Sequence, residues 1–187
     1  MKKQTFLICF ENIDGIAVNF ERWTFKSVKN KNISDKTIKN YTDYLIDSYL
    51  ISKADRYDIK GKAYLKTLYK YYAVDIGVRN AFLNFRQIEP THTIENIVYL
   101  ELLHRGFIVD IGKNDQKEID FVARNMKDTY YIQVSYTLID ENTRERELGS
   151  FKKLDDGYKK IVITMDDDPF TDLGNGYKKI NIDRKSV

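Results

Sequence analysis

Four short apolar runs lie between residues 107 and 165, and the gaps between them leave few ways to fold. Residues 107–111, 118–124, 129–137 and 158–165 each read as strands by length and by β-branched and aromatic content. Residues 112–116 and 125–128 are polar and short, and fit turns joining the first three strands. The third gap is different. Residues 142–155 are rich in charged side chains and predict a helix. A strand, a helix and a strand in that order form a crossover unit, so parallel and antiparallel pairings must share one sheet. Ahead of them, Thr93 is the expected cap of a helix through Arg105, after Pro90 interrupts the chain; Gly106 ends it. The expected class is α/β (α+β), a mixed sheet with helices on its faces.

The first half reads differently. Residues 4–13 and 18–28 carry weak signals around a turn at Asp14-Gly15. Ser34 is placed to cap a helix over 35–48, with Ile38, Tyr41, Leu45 and Tyr49 on its apolar face. Lys36, Lys39 and Asn40 lie on the other face. Strands over 49–57 and 63–74 flank a basic turn at 58–62 that carries Lys60 and Lys62. A helix followed by a basic hairpin is the layout of a winged helix-turn-helix, whose helix enters the major groove while the wing touches phosphate. Residues 1–77 are therefore expected to form a winged-helix domain and residues 78–187 a second domain. Lys36, Lys39, Asn40, Lys60 and Lys62 are its DNA-binding candidates, and double-stranded DNA is the expected partner.

Bulk charge adds little. The 187 residues carry 31 basic and 28 acidic side chains, a net charge of +3, so only local clustering can attract a polyanion. Clustering occurs at Lys53, Arg56, Lys60, Lys62, Lys66 and Lys70, interleaved with tyrosines. The single cysteine, Cys9, forms no intramolecular disulfide and reads as a core residue, as does Trp23. No run approaches the ~20 apolar residues of a membrane span, so a cytoplasmic protein without membrane contact is expected. No Gly-rich phosphate loop with Lys-Ser/Thr occurs, so no nucleotide cofactor is expected in this chain. His92 and His104 are too isolated for zinc, and Asp166-Asp167-Asp168 lacks the spacing of a calcium loop.

Chemistry is suggested by three polar residues set in apolar surroundings. Glu95 stands beside Ile94, Ile97 and Val98 on a helix. Asp120 interrupts one strand and Gln133 the next, with a hairpin between them that can place the two side by side. A polar side chain on a buried strand is costly unless it is paired or binds metal. Two carboxylates and an amide are oxygen ligands suited to Mg²⁺, which can activate water and stabilise charge on a phosphate. Glu95, Asp120 and Gln133 are thus both the metal and the catalytic candidates.

The succession Glu95, Asp120, Gln133-Val134-Ser135 resembles the PD-(D/E)XK nuclease pattern. The resemblance implies a restriction-endonuclease-like core in which Asp120 and Gln133 bind metal. It also implies a catalytic lysine two residues after Gln133, where this chain has Ser135. Residues 57–81, 95–123 and 131–154 further resemble, in order, the C-terminal half of a bacterial and archaeal group of AAA-type P-loop ATPases. That half joins a winged helix to a nuclease-like domain of unknown function, and the likeness covers about residues 34–187. It adds Arg144 and Arg146 as phosphate or pocket contacts and implies an ATPase domain as partner, in cis or in trans. This chain is then expected to be a fragment or a shortened product. The expected function is a DNA-binding, nuclease-like module. Its alternatives are an active Mg²⁺-dependent endonuclease and a non-enzymatic module that docks on an ATPase domain.

Overall fold

The sheet is wider than the sequence predicts, because strands expected in two domains join. The computed structural model describes residues 35–82, 89–168 and 171–183. The readings at 4–13, 18–28, Cys9, Trp23 and the Ser34 cap lie outside the described residues. The described elements are α1 (Asp35–Asp47), β1 (Ile51–Asp58), β2 (Ala63–Ala73), α2 (Ile76–Phe82) and α3 (Pro90–His104). They continue with β3 (Ile108–Asn114), β4 (Lys117–Arg124), β5 (Thr129–Val134), α4 (Glu141–Gly149), β6 (Lys159–Thr164) and β7 (Tyr177–Asn181).

All seven strands form one mixed sheet in the order β2-β1-β3-β4-β5-β6-β7. The pairs β1/β2, β3/β4 and β4/β5 are antiparallel; β1/β3, β5/β6 and β6/β7 are parallel. The crossover expected from the charged stretch is present as β5-α4-β6. The hairpin read as a wing is one margin of this sheet, since Arg56, Tyr57 and Asp58 pair with Ile111, Gly112 and Lys113. The sheet thus runs across the boundary expected at residue 77. Among the described residues no helix is long and apolar enough to cross a membrane.

The alternation of β4 divides the core. Phe121 and Ala123 pack towards α3 with Ile94, Val98, Tyr99 and Leu102. Val122 faces the other way, with Tyr131, Phe151, Leu154 and Val162. α3 and the α4 segment therefore cover opposite faces. Tyr72 and Tyr99 stack at 4.1 Å between ring centres, with Phe121 beside both. Burying three aromatic rings in mutual contact is a large part of what fixes α3 on the sheet. A third, smaller cluster of Leu45, Ile51 and Tyr71 holds α1 at the end of the β1–β2 hairpin.

Several boundaries move for identifiable reasons. Residues 112–114, read as a turn, belong to β3. Asn114 is buried, and its Nδ2 donates to the main-chain oxygens of Ser150 (2.9 Å) and Lys152 (3.0 Å). Gly112 is required by close packing, since a Cβ there would lie 2.9 Å from Val122 Cγ2 and 3.0 Å from Ile119 Cβ. The helix expected from Thr93 begins at Pro90, where the missing N–H costs nothing in the first turn. Thr93 donates its hydroxyl to Glu89 O instead of capping. The helix expected over 142–155 stops at Gly149, and Asp140 caps it by accepting from Thr143 N. β5 ends at Val134, three residues early, because residues 135–140 turn away to bond Asp166.

One side chain holds α3 against β2. Asn96 accepts from Ala73 N (2.9 Å) and donates to Ala73 O (2.8 Å), completing the edge of β2 as a strand would. Asn96→Ala leaves a donor and an acceptor buried without partners, so a loss of about 2–4 kcal/mol is expected. Urea denaturation at neutral pH measures it, and a change within experimental error would contradict the clamp.

Candidate functional site

Strands β4 and β5 part at the position where sequence spacing set Asp120 beside Gln133. Their ladder runs from Arg124↔Thr129 to Phe121↔Ile132 and ends there. At the next position side chains take over the main-chain bonds. Asp120 Oδ2 accepts from Val134 N at 2.8 Å, and Gln133 Oε1 accepts from Asp120 N at 3.4 Å. Buried backbone groups need partners, and here they find them without closing the sheet.

Gln133 ties the opened strand to α4. Its Nε2 donates to Glu147 Oε2 at 2.7 Å, and Ser150 Oγ lies 3.3 Å from its Oε1. Arg146 in turn holds Glu147 Oε1 at 2.7 Å. From the other face, α3 brings in Glu95. Glu95 Oε1 accepts from Tyr72 Oη at 2.7 Å and from Lys70 Nζ at 3.1 Å. Lys70 also meets Glu118 Oε1 at 2.7 Å, and Arg56 pairs with the second oxygen of Glu118. A lysine only 5% exposed between two carboxylates is a fixed charge rather than a solvated one.

The electrostatics follow from this crowding. Burial by itself would lower the Lys70 pKa, but Glu95, Glu118 and Asp120 outweigh it and hold Lys70 above the ordinary lysine value, so it stays charged. Asp120 is pushed well above the usual carboxylate range, first by burial and then by the negative charge of Glu95; Lys70 and the Val134 N–H oppose the shift. Burial, then Glu95, raises Tyr72 as well, so it remains a neutral donor.

Mg²⁺, the ion that the PD-(D/E)XK resemblance implies, can be tested against this donor set. Among the described residues no three His, Cys, Asp or Glu side chains are grouped to hold a metal by themselves. Gln133 is committed through both ends of its amide, to Glu147 and to Asp120 N and Ser150. Asp120 Oδ1 and Glu95 Oε2 have no hydrogen-bond partner among the described residues. Two carboxylate oxygens suit Mg²⁺, which keeps waters and takes substrate phosphate rather than requiring a full protein cage. The fit therefore rests on Asp120 and Glu95, with Gln133 bracing the strand.

The remaining candidates scatter. Lys36, Lys39 and Asn40 are exposed on α1, and Lys39 pairs with Asp43 at 2.6 Å. Lys60 and Lys62 sit at the far tip of the hairpin, where Lys60 meets Asp115 at 2.6 Å. α1 packs at the opposite end of that hairpin, so these two basic groups do not form one patch. Arg146 is engaged with Glu147, whereas Arg144 has Glu141 only at 3.9 Å. His92 faces Glu89, Asp166 pins a loop, and Asp168 pairs with Lys179. Sequence reasoning missed Lys70, Tyr72, Glu118 and Glu147 as site members. For Lys70 a signal existed: it directly precedes the apolar Tyr71-Tyr72-Ala73 of a strand, as Asp120 precedes Phe121-Val122.

Comparison with known proteins places this chain beside uncharacterized ones. A family described as a domain of unknown function, DUF8612, matches residues 5–89. An uncharacterized protein of Haemophilus influenzae is 46% identical over 131 residues, 70% of this chain and 32% of that protein. The uncharacterized protein MJ1544 of Methanocaldococcus jannaschii is 33% identical over 166 residues, 83% of this chain and 34% of that protein. The chain spans about a third of the length of these curated relatives. No solved structure matches it.

The raised pKa of Asp120 has a consequence for stability. The folded chain binds that proton more tightly than the unfolded chain, so ionised Asp120 weakens folding at neutral pH. The penalty fades as pH falls through the raised value towards the ordinary Asp value. Asp120→Asn keeps an acceptor for Val134 N and removes the charge. It is expected to be more stable than the parent at about pH 7, with the gap closing towards about pH 4. Urea midpoints at the two pH values check this; a destabilised Asn variant at neutral pH would contradict it.

Proposed function

We propose that this chain is a DNA-binding, nuclease-like module of a longer ATPase-type protein, and that its missing lysine is supplied from β2 by Lys70. The observation that carries the reading is the parting of β4 and β5 at Asp120, with Glu95 and the buried Lys70 gathered at the gap. The restriction-endonuclease-like assignment of β3-β4-β5-α4-β6 and the winged-helix assignment of α1 with β1–β2 belong to the same reading. So does the ATPase partner, favoured by relatives of which the aligned part of this chain covers only 32% and 34%.

The residues divide the work. Asp120 and Glu95 offer the oxygens for a divalent ion. When bound, that ion neutralises phosphate charge and supplies an activated water. Lys70 presents a permanent positive charge to the same gap, where position 135 has only a hydroxyl. A preorganised cation in a dry site stabilises developing charge without reorganising water. Glu118, held by Arg56, fixes Lys70; Gln133, Glu147 and Ser150 keep the strand open. Arg144, whose one ion pair is with Glu141 at 3.9 Å, is the α4 arginine with charge to offer phosphate.

Incubation with duplex DNA and Mg²⁺ or Mn²⁺ tests the reading. The parent chain is expected to cut and Asp120→Ala to be inactive. Lys70→Met should lose about 100–1,000-fold in rate, as for removal of one charge-stabilising donor, and Lys70→Arg should recover part of it. Equal cutting by the parent and Asp120→Ala would mark a contaminant. Retention on DNA without cutting would leave a binding module only, and no retention at low salt would overturn the DNA reading itself.

A further inference from the structure

Three turns remote from one another in sequence bring six lysines to the end of the sheet that carries the Asp120 gap. β1 ends at Asp58, β3 ends at Asn114 and β4 starts at Lys117. The pairings Asp58↔Lys113 and Asn114↔Lys117 set the two turns side by side. The first turn carries Lys60 and Lys62, the second Lys113 and Lys117. Ile59 N donates to Lys113 O at 3.0 Å, and Lys60 Nζ meets Asp115 at 2.6 Å, so the turns are fixed to each other. The third segment is the chain after α4, with Lys152 and Lys153. Asn114 binds it through the main-chain oxygens of Ser150 and Lys152. Lys117 Nζ lies over Gly149, 2.5 Å from where a Cβ would stand. Asp115 sits among them. Its carboxyl is held below the usual range first by the hydrogen bond to Lys60, then by the charges of Lys60 and Lys153.

This rim keeps an excess of positive charge. Lys60, Lys62, Lys117, Lys152 and Lys153 are exposed. Lys62, Lys113, Lys117, Lys152 and Lys153 have no ion pair among the described residues, whereas Lys39, Lys53 and Lys159 elsewhere on the surface each have one. Of the acids in these segments, Glu118 is held by Lys70 and Arg56, and Asp156 by Tyr131 and Lys160. Six lysines then stand against Asp58, Asp115 and Asp155. A surface that serves only solubility intersperses the two signs. Flexible ammonium groups without fixed partners suit a ligand of repeated negative charge, which a sugar-phosphate backbone is. Strand spacing alone spreads the first two turns over about 10 Å, a distance in which duplex DNA presents several phosphates. Lys117 precedes Asp120 on β4 by about 10 Å of strand, so a backbone held here leads to the gap.

We propose that this rim, built from the 58–62 and 113–117 turns and the chain after α4, grips the DNA backbone leading into the Asp120 gap, in preference to the α1 lysines. α1 packs at the opposite end of the β1–β2 hairpin. The inference rests on the DNA-binding reading above and goes beyond it in locating the contact surface.

The salt dependence of binding tests it, because each lysine bound to phosphate adds about one to the slope of log affinity against log salt. Fluorescence anisotropy of a labelled blunt duplex in EDTA, from about 50 to 200 mM salt, would compare the parent chain with three variants. Lys62→Gln/Lys117→Gln/Lys152→Gln removes one exposed lysine from each segment and is expected to flatten the slope by about 3. Lys62→Arg/Lys117→Arg/Lys152→Arg should keep the parental slope, which separates lost charge from altered folding. Lys36→Gln/Lys39→Gln on α1 should leave the slope unchanged. A parental slope kept by the rim glutamines, or an equal flattening in the α1 variant, overturns this inference alone. No binding of the duplex by the parent chain at low salt overturns it together with the DNA reading.

Discussion

The hydrogen bond from Val134 N to the side chain of Asp120 decides the rest of the site. A main-chain partner in its place would continue the β4–β5 ladder and bury both polar side chains in a closed sheet. Because a carboxylate takes the N–H, the strands open, and Glu95 and Lys70 reach the opening on the α3 side while Glu147 reaches Gln133 on the α4 side. The opening is braced at both edges.

Such an arrangement is expensive for a fold that only needed stability. Desolvating Lys70 and Glu95 together costs more than an apolar core of the same volume, and paired buried charges often return little of that cost. Glu118 and Arg56 add a second ring of charge whose role is to fix the first. The Tyr72–Tyr99–Phe121 stack and the Asn96 clamp supply the apolar burial and backbone pairing that keep α3 in place despite it.

Much of this was legible in the sequence. The order of elements from 107 onward follows from apolar run length and turn chemistry, and the crossover follows from one charged stretch. Glu95, Asp120 and Gln133 stood out because each breaks an apolar pattern, and the structure does bring them to one place, though with Gln133 as a brace. What stayed hidden depended on long-range pairing. Nothing local says that β1 lies beside β3, or that Lys70, one of a cluster of basic residues, is buried against Glu95. Asn114 and Gly112 looked like turn residues because their reasons for being in a strand, two distant carbonyls and one close side chain, are tertiary. The early end of β5 is likewise set by Asp166, some thirty residues away along the chain.

Anomalous diffraction from crystals soaked in Mn²⁺ tests whether Asp120 and Glu95 would hold a divalent cation, as the proposed function requires. An anomalous peak within coordinating reach of both carboxylates is expected, with Gln133 still bonded to Glu147. Ion density at other acidic surface sites with none beside Asp120 and Glu95 would overturn the proposal.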